Sequence, residues 1–111
     1  MSWESELRRR YGLVPADYDA LRDAQAGVCV ICERMLPGHA PRLAVDHEHR
    51  SGLIRGLLCT RCNHQFLGMF GEDPWFYWRA HRYLVDSPAK YVIGYRYVPD
   101  SPGAAGLLEG N

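Results

Sequence analysis

Leu43-Ala44-Val45 is a short apolar run that turns abruptly polar at Asp46-His47-Glu48-His49. After Arg50-Ser51-Gly52 a second run, Leu53-Ile54-Arg55-Gly56-Leu57-Leu58, leads into Cys59. Two such runs around a Ser-Gly turn predict a hairpin over residues 43–58, with the first strand carried by Leu43-Ala44-Val45. Gly56 interrupts the second strand where a bulge or the close approach of another group would require it. Thr60 or a neighbour can cap a helix through Asn63, His64, Gln65, Phe66 and Leu67 to Gly68 or slightly beyond. Strand, strand and helix in this order make an α+β unit.

Two Cys-x2-Cys pairs bracket that hairpin: Cys29 and Cys32 before it, Cys59 and Cys62 after it, with 26 residues between the pairs. Each pair offers two thiolates to one centre, and four sulfurs suit tetrahedral zinc with no position left for water, which makes such a site structural. Two disulfides would need an oxidising compartment, and a reduced metal-free set would need two knuckles to arise merely from packing. Zinc accounts for the spacing with fewer assumptions.

Asp46-His47-Glu48-His49 puts four metal-binding or proton-handling groups where an apolar strand should continue. For any isolated Asp-His pair a solvated strand end is the plain reading, but here Asn63 follows Cys62 by about 100° around a helix axis, so a clamped Cys62 would aim it. If the hairpin lies across that helix, Asp46 and Asn63 can present hard oxygens of the kind magnesium prefers alongside water, leaving His47 free as a base. In a regular strand Asp46 and His47 point to opposite faces, so the strand must end or twist there for both to serve one centre. Such a set can hydrolyse a phosphodiester, with His47 taking a proton from water while the cation offsets charge on the phosphate and the departing oxygen. Arg42, Arg50, Arg55 and Arg61 against Asp46 and Glu48 give residues 42–63 a net charge of plus two. That patch can meet phosphates or simply solvate the hairpin.

The pattern resembles the phage recombination endonuclease VII family, within the broader HNH-like His-Me finger, or ββα-metal, nucleases. The likeness runs from Leu13 to Gly68 and rests on Gly27-Val28-Cys29-x2-Cys32, on Val45-Asp46-His47-Glu48-His49, and on Arg55-Gly56-Leu57-Leu58-Cys59-x2-Cys62-Asn63. It implies a zinc-stabilised endonuclease that cleaves branched or distorted DNA with magnesium, or manganese in its place, and that works in the cytoplasm of a bacterial host. It further implies that Asp46 and Asn63 hold the catalytic metal, that His47 is the general base, and that His49 contacts the scissile phosphate or assists the leaving group. For His49 a solvated loop position is the alternative. The rival reading of the whole is a noncatalytic zinc-ribbon module that binds DNA or a protein.

Outward from this core, residues 4–11 can form a short helix, and Pro15 can open a second that ends near Gly27, with Leu13, Tyr18, Leu21 and Ala24 as its apolar stripe. Asp73-Pro74 is another helix start, and Trp75 to Val85 is apolar around most of its circumference before Pro88. That helix either packs into the core or serves a homodimer, a role that further helices perform in junction-resolving relatives. Tyr91 to Val98 has strand-type residues, and 99–111 is Pro/Gly-rich and expected to fray. The resulting division is 1–27 helical, 28–68 zinc-bound nuclease core, 69–98 helix and extended segment, and 99–111 tail. At 111 residues with zero net charge this is one small domain without a nucleic-acid-coating basic tail. With neither a secretory signal nor an apolar run of membrane-spanning length, it is expected to be soluble, cytoplasmic and free of membrane.

Overall fold

The computed structural model describes residues 2–35, 42–64 and 73–107. Helix α1, Trp3–Tyr11, starts where the Ser2 hydroxyl accepts the Ser5 N–H at 3.1 Å and stops at Gly12, whose φ of 70° and N–H to the Arg8 carbonyl form a left-handed cap. Glu4 and Glu6 in the first turn and Arg8 to Arg10 in the last complement the helix dipole. Helix α2, Pro15–Ala24, opens on the expected proline, with the Asp17 carboxylate accepting the Val14 N–H at 3.1 Å. It ends one turn before Gly27, and Leu13, Tyr18 and Leu21 are buried as its apolar spacing predicted, whereas Ala24 in the last turn is exposed.

Strands β1, Ala44–His47, and β2, Ile54–Leu58, form a two-stranded antiparallel sheet. β1 extends two residues beyond the apolar run, through Asp46 and His47. Pairing runs Ala44 with Leu58, Val45 with Leu57 and Asp46 with Gly56, then skips Arg55 to join His47 with Ile54. The register therefore breaks between Asp46 and His47, the point at which the strand had to end or twist if both residues were to serve one centre, and Arg55 is the extra residue of the bulge. Gly56 meets the other expectation. A Cβ there would lie 3.1 Å from the Tyr83 ring and 3.2 Å from both the Gln25 amide oxygen and the Pro88 ring, so three elements converge on a residue without a side chain.

The free edge of β2 is closed by a side chain. Gln25, just past α2 and 8% exposed, gives its amide N–H to the Leu57 carbonyl and takes the Leu57 N–H, both at 2.9 Å, while also donating to the Val28 carbonyl. One glutamine thus stands in for a neighbouring strand. Helix α3, Thr60–His64, follows β2 directly, and its expected continuation through Gln65–Gly68 lies outside the described residues.

Helix α4, Pro74–Val85, is capped by the Asp73 carboxylate on the Trp75 N–H at 3.0 Å and buries the single stripe Phe76, Ala80 and Tyr83. Trp75, Trp78, Leu84 and Val85 remain exposed. A one-turn helix α5, Ala89–Val92, replaces the start of the strand-type segment: Pro88 supplies a helical φ of −72°, and fully buried Ala89 packs into the core. Only beyond it does the chain extend, with Tyr97 bridging Leu53, and the Ile54 N–H on the Arg96 carbonyl and Val98 N–H on the Gly52 carbonyl at 2.7 Å. Residues 99–107 of the segment expected to fray wind into successive turns, and the Gly103 N–H reaches the Ser51 carbonyl at 2.8 Å. Leu13, Leu21, Ile31, Ile54, Leu57, Leu58 and Phe76 form the fully buried centre of this α+β fold.

Candidate active site

Cys29 and Cys32 sit on a tight knuckle closed by the Glu33 N–H on the Cys29 carbonyl at 2.9 Å, with Glu33 at a left-handed φ of 61°. The second knuckle is the first turn of α3: the Cys62 N–H points at the Cys59 sulfur at 3.4 Å, and the Asn63 N–H at the Cys59 carbonyl at 2.9 Å. All four thiols are free, and their sulfurs lie within 4.8 Å of one another. Tetrahedral zinc with bonds of about 2.3 Å puts sulfurs about 3.8 Å apart. Cys32 and Cys59 are separated by 3.8 Å, so the cluster could hold a zinc ion.

The thiols are electrostatically unlike. The Cys62 thiol beside it draws Cys29 down to about 5, whereas burial pushes Cys32 up to about 11. Cys62 is raised above the ordinary range by its bond to Cys29 and by burial. Crowding four sulfurs in one dry place penalises a second thiolate strongly, and a divalent cation removes that penalty by neutralising them together.

Beside the second knuckle lies a cleft of about 360 Å³, lined by Asp46, His49, Arg55, Asn63 and Tyr83 together with Leu58, Leu84 and Cys62. The carboxylate of Asp46 is 6% exposed and held by three donors. Its Oδ2 accepts Arg55 Nε at 2.8 Å and the Tyr83 hydroxyl at 2.7 Å, and its Oδ1 accepts Arg55 Nη2 at a longer 3.3 Å. Burial, and then the adjacent Asp46 charge, push the Tyr83 phenol well above its usual value, so its hydroxyl stays a donor. No buried side-chain nitrogen or oxygen among the described residues is left without a partner.

The structure brings Asp46, Asn63 and His49 to this one cleft and sets His47 beside it. His47 is half-buried, its Nδ1 lies 3.3 Å from the Glu48 carbonyl, and its ring stands 5.2 Å from that of His49 and 6.3 Å from that of Tyr11, centroid to centroid. The four polar residues are thus contiguous, with His49 joining His47 to the oxygen donors. Glu48 instead accepts the Ser51 hydroxyl in the turn.

Two partners of Asp46 escaped the sequence reading. Arg55 looked like one of four phosphate-facing or solvated arginines, and only the bulge turns it onto the carboxylate. Tyr83 looked like core packing, although a phenol on the buried stripe of a helix must find an acceptor, and that was a usable signal.

With this geometry in view, known proteins give a consistent answer. Residues 4–86 match the family described as recombination endonuclease VII. Over 98 residues the chain is 43% identical to the Gene 59 protein of Mycobacterium phage L5 and to that of Mycobacterium phage D29. Each alignment covers 88% of this chain and 59% of the relative, so the chain spans less than two thirds of those proteins' length. No solved structure matches it. A family match over three quarters of the sequence, taking in both cysteine knuckles and the hairpin between them, places the chain in the recombination endonuclease VII family.

Proposed function

We propose that this chain is a zinc-stabilised, divalent-metal-dependent DNA endonuclease whose hydrolytic centre is the cleft between the hairpin and α3. The observation that carries the proposal is the convergence of Asp46, Asn63 and His49 on one cleft that shares Cys62 with the sulfur cluster, with the His47 ring 5.2 Å from that of His49. A binding module has no need of that combination.

A carboxylate and an amide oxygen are the hard donors that suit magnesium or manganese, and a cation on Asp46 and Asn63 would supply charge stabilisation at the phosphate and the departing oxygen. The other contributions come from the chain. Tyr83 and Arg55 fix the Asp46 carboxylate, leaving Oδ1 the less committed of its two oxygens. His47, with one ring nitrogen near the Glu48 carbonyl, has the other available to accept a proton from water. His49 is placed to meet the scissile phosphate or the leaving oxygen. Branched or distorted DNA as preferred substrate, action in the cytoplasm of a bacterial host, and a homodimer through the exposed face of α4 belong to the same proposal. Among the described residues no helix is long and apolar enough to cross a membrane.

One observation favours the noncatalytic zinc module: Asp46 already has a cationic partner in Arg55. A nicking assay on supercoiled, branched and linear DNA with and without magnesium separates the two readings. His47→Ala should lower cleavage by roughly 10²- to 10⁴-fold, the usual worth of a general base, while zinc content and circular dichroism stay at wild-type values. Undiminished cleavage by that variant would remove His47 from its role, and no cleavage by the wild type on any substrate would leave the binding module.

A further inference from the structure

We infer that the groove between α1 and β1 is a strand-guiding subsite, in which Arg10 and Arg42 hold backbone phosphates of the DNA flanking the cut. The inference rests on the nuclease reading and adds a binding surface outside its hydrolytic cleft. The groove has a volume of about 340 Å³, with Trp3, Arg10, Tyr11 and Arg42 around it and Leu7 and Val45 among its apolar lining.

Both arginines are exposed, and each lies over an aromatic ring: Arg42 Cζ is 4.0 Å from the centre of Trp3, and Arg10 Cζ is 5.3 Å from that of Tyr11. Trp3 is braced in turn by an edge-to-face contact with Tyr18 at 5.2 Å. A guanidinium already positioned over a ring loses less freedom when it binds, and its N–H groups can still donate to phosphate oxygens. Among the described residues neither arginine is in an ion pair. The one acid in the lining, Glu6, is already engaged through both its oxygens by Arg9 at 2.9 Å. The groove therefore presents uncompensated positive charge.

Its position selects nucleic acid over another polyanion. Tyr11 at the end of the groove stands 6.3 Å from His47, and His47 stands 5.2 Å from His49 at the cleft, so the aromatic wall runs ring by ring into the hydrolytic centre. A strand whose phosphate sits at His49 has its neighbouring phosphates available to Arg10 and Arg42.

The test is fluorescence anisotropy of the full zinc-loaded chain with a labelled DNA duplex and a labelled single strand, without magnesium, across a salt series. Arg42→Gln and Arg10→Gln should each weaken binding by roughly tenfold, the worth of one charged hydrogen bond. Each should lower the slope of log Kd against log salt by about 0.9 on duplex and about 0.7 on single strand. Arg8→Gln is the control, since Arg8 sits on the same helix beside a different depression with Glu4 and Pro15, and it should bind as wild type. Wild-type affinity in both groove variants, an equal loss in Arg8→Gln, or displacement by polyglutamate as readily as by unlabelled DNA would overturn the assignment. Cleavage by the wild type with no effect of Arg10 or Arg42 on binding sinks the groove and spares the nuclease. Binding that depends on both arginines, with no cleavage under any metal, does the reverse.

Discussion

Asp46 joins three parts of the chain: its own strand, the bulge residue Arg55 nine positions on, and Tyr83 thirty-seven positions on. An ionised carboxylate at 6% exposure needs this many donors, because an unpaired buried charge costs several kcal/mol. Tyr83→Phe removes one donor and leaves both Arg55 bonds, so it should cost about 1.5–3 kcal/mol in urea unfolding, the worth of one hydrogen bond to a charged group. If Asp46 serves the hydrolytic centre, the same variant should cut more slowly and require more magnesium for half-maximal rate, because its carboxylate is less firmly oriented. A magnesium titration of cleavage checks this, and a variant indistinguishable from wild type would show that Arg55 alone fixes the carboxylate.

The hairpin is too small an element to stand by itself, since an isolated two-stranded sheet is marginal in water. It is held by what surrounds it: Gln25 along the edge of β2, Tyr97 at its start, and the sulfur cluster beyond both ends. Gln25→Ala would leave the Leu57 N–H buried without a partner and its carbonyl with only the Val30 N–H at 3.5 Å, and an unpaired buried group costs about 1–3 kcal/mol. An unfolding free energy lower by about 1–3 kcal/mol is expected from urea titration followed by circular dichroism. A loss below about 0.5 kcal/mol would mean that water replaces the amide. In α4 Tyr83 of the buried stripe reaches Asp46 of the hairpin, while Trp75 and Trp78, in edge-to-face contact at 6.0 Å, stay outside.

For the molecule as a whole, the sulfur cluster is the joint between the segment preceding the hairpin and α3 following it. A structural zinc contributes on the order of 10 kcal/mol, comparable to the entire stability of a domain this size. Stripping it with a strong chelator should abolish the cooperative thermal transition, and restoring zinc should recover it. A transition surviving at the same temperature would show that the core suffices. A second long-range tie joins the C-terminal segment to α2 through Arg96 and Asp17, which pair at 3.0 Å. Burial acts to raise the Asp17 carboxyl, but the Arg96 hydrogen bond and the Val14 N–H outweigh it and hold the group below its ordinary 3.8. A depressed folded pKa adds stability that is complete above the unfolded value and disappears as pH falls through the folded one. Asp17→Asn should therefore be less stable than wild type at neutral pH and show a shallower loss below about pH 4, read from thermal melts over a pH series.

What was legible in the residues is what depends on near neighbours in the chain. Pro15 and Asp73-Pro74 mark helix starts, Arg50-Ser51-Gly52 marks a turn, and two Cys-x2-Cys pairs imply a shared centre, because each signal is a local backbone or ligand preference. Strand alternation alone sends Asp46 and His47 to opposite faces, and only the assumption of a shared centre called for an end or twist between them. Tertiary structure alone decided that Arg55 and Tyr83 share the Asp46 carboxylate, that Gln25 acts as a strand, that 89–92 coils into a helix, and that residues near 103 bond to the hairpin turn. Those outcomes turn on which buried polar group finds which distant partner, and no short window of sequence contains both ends of such a bond.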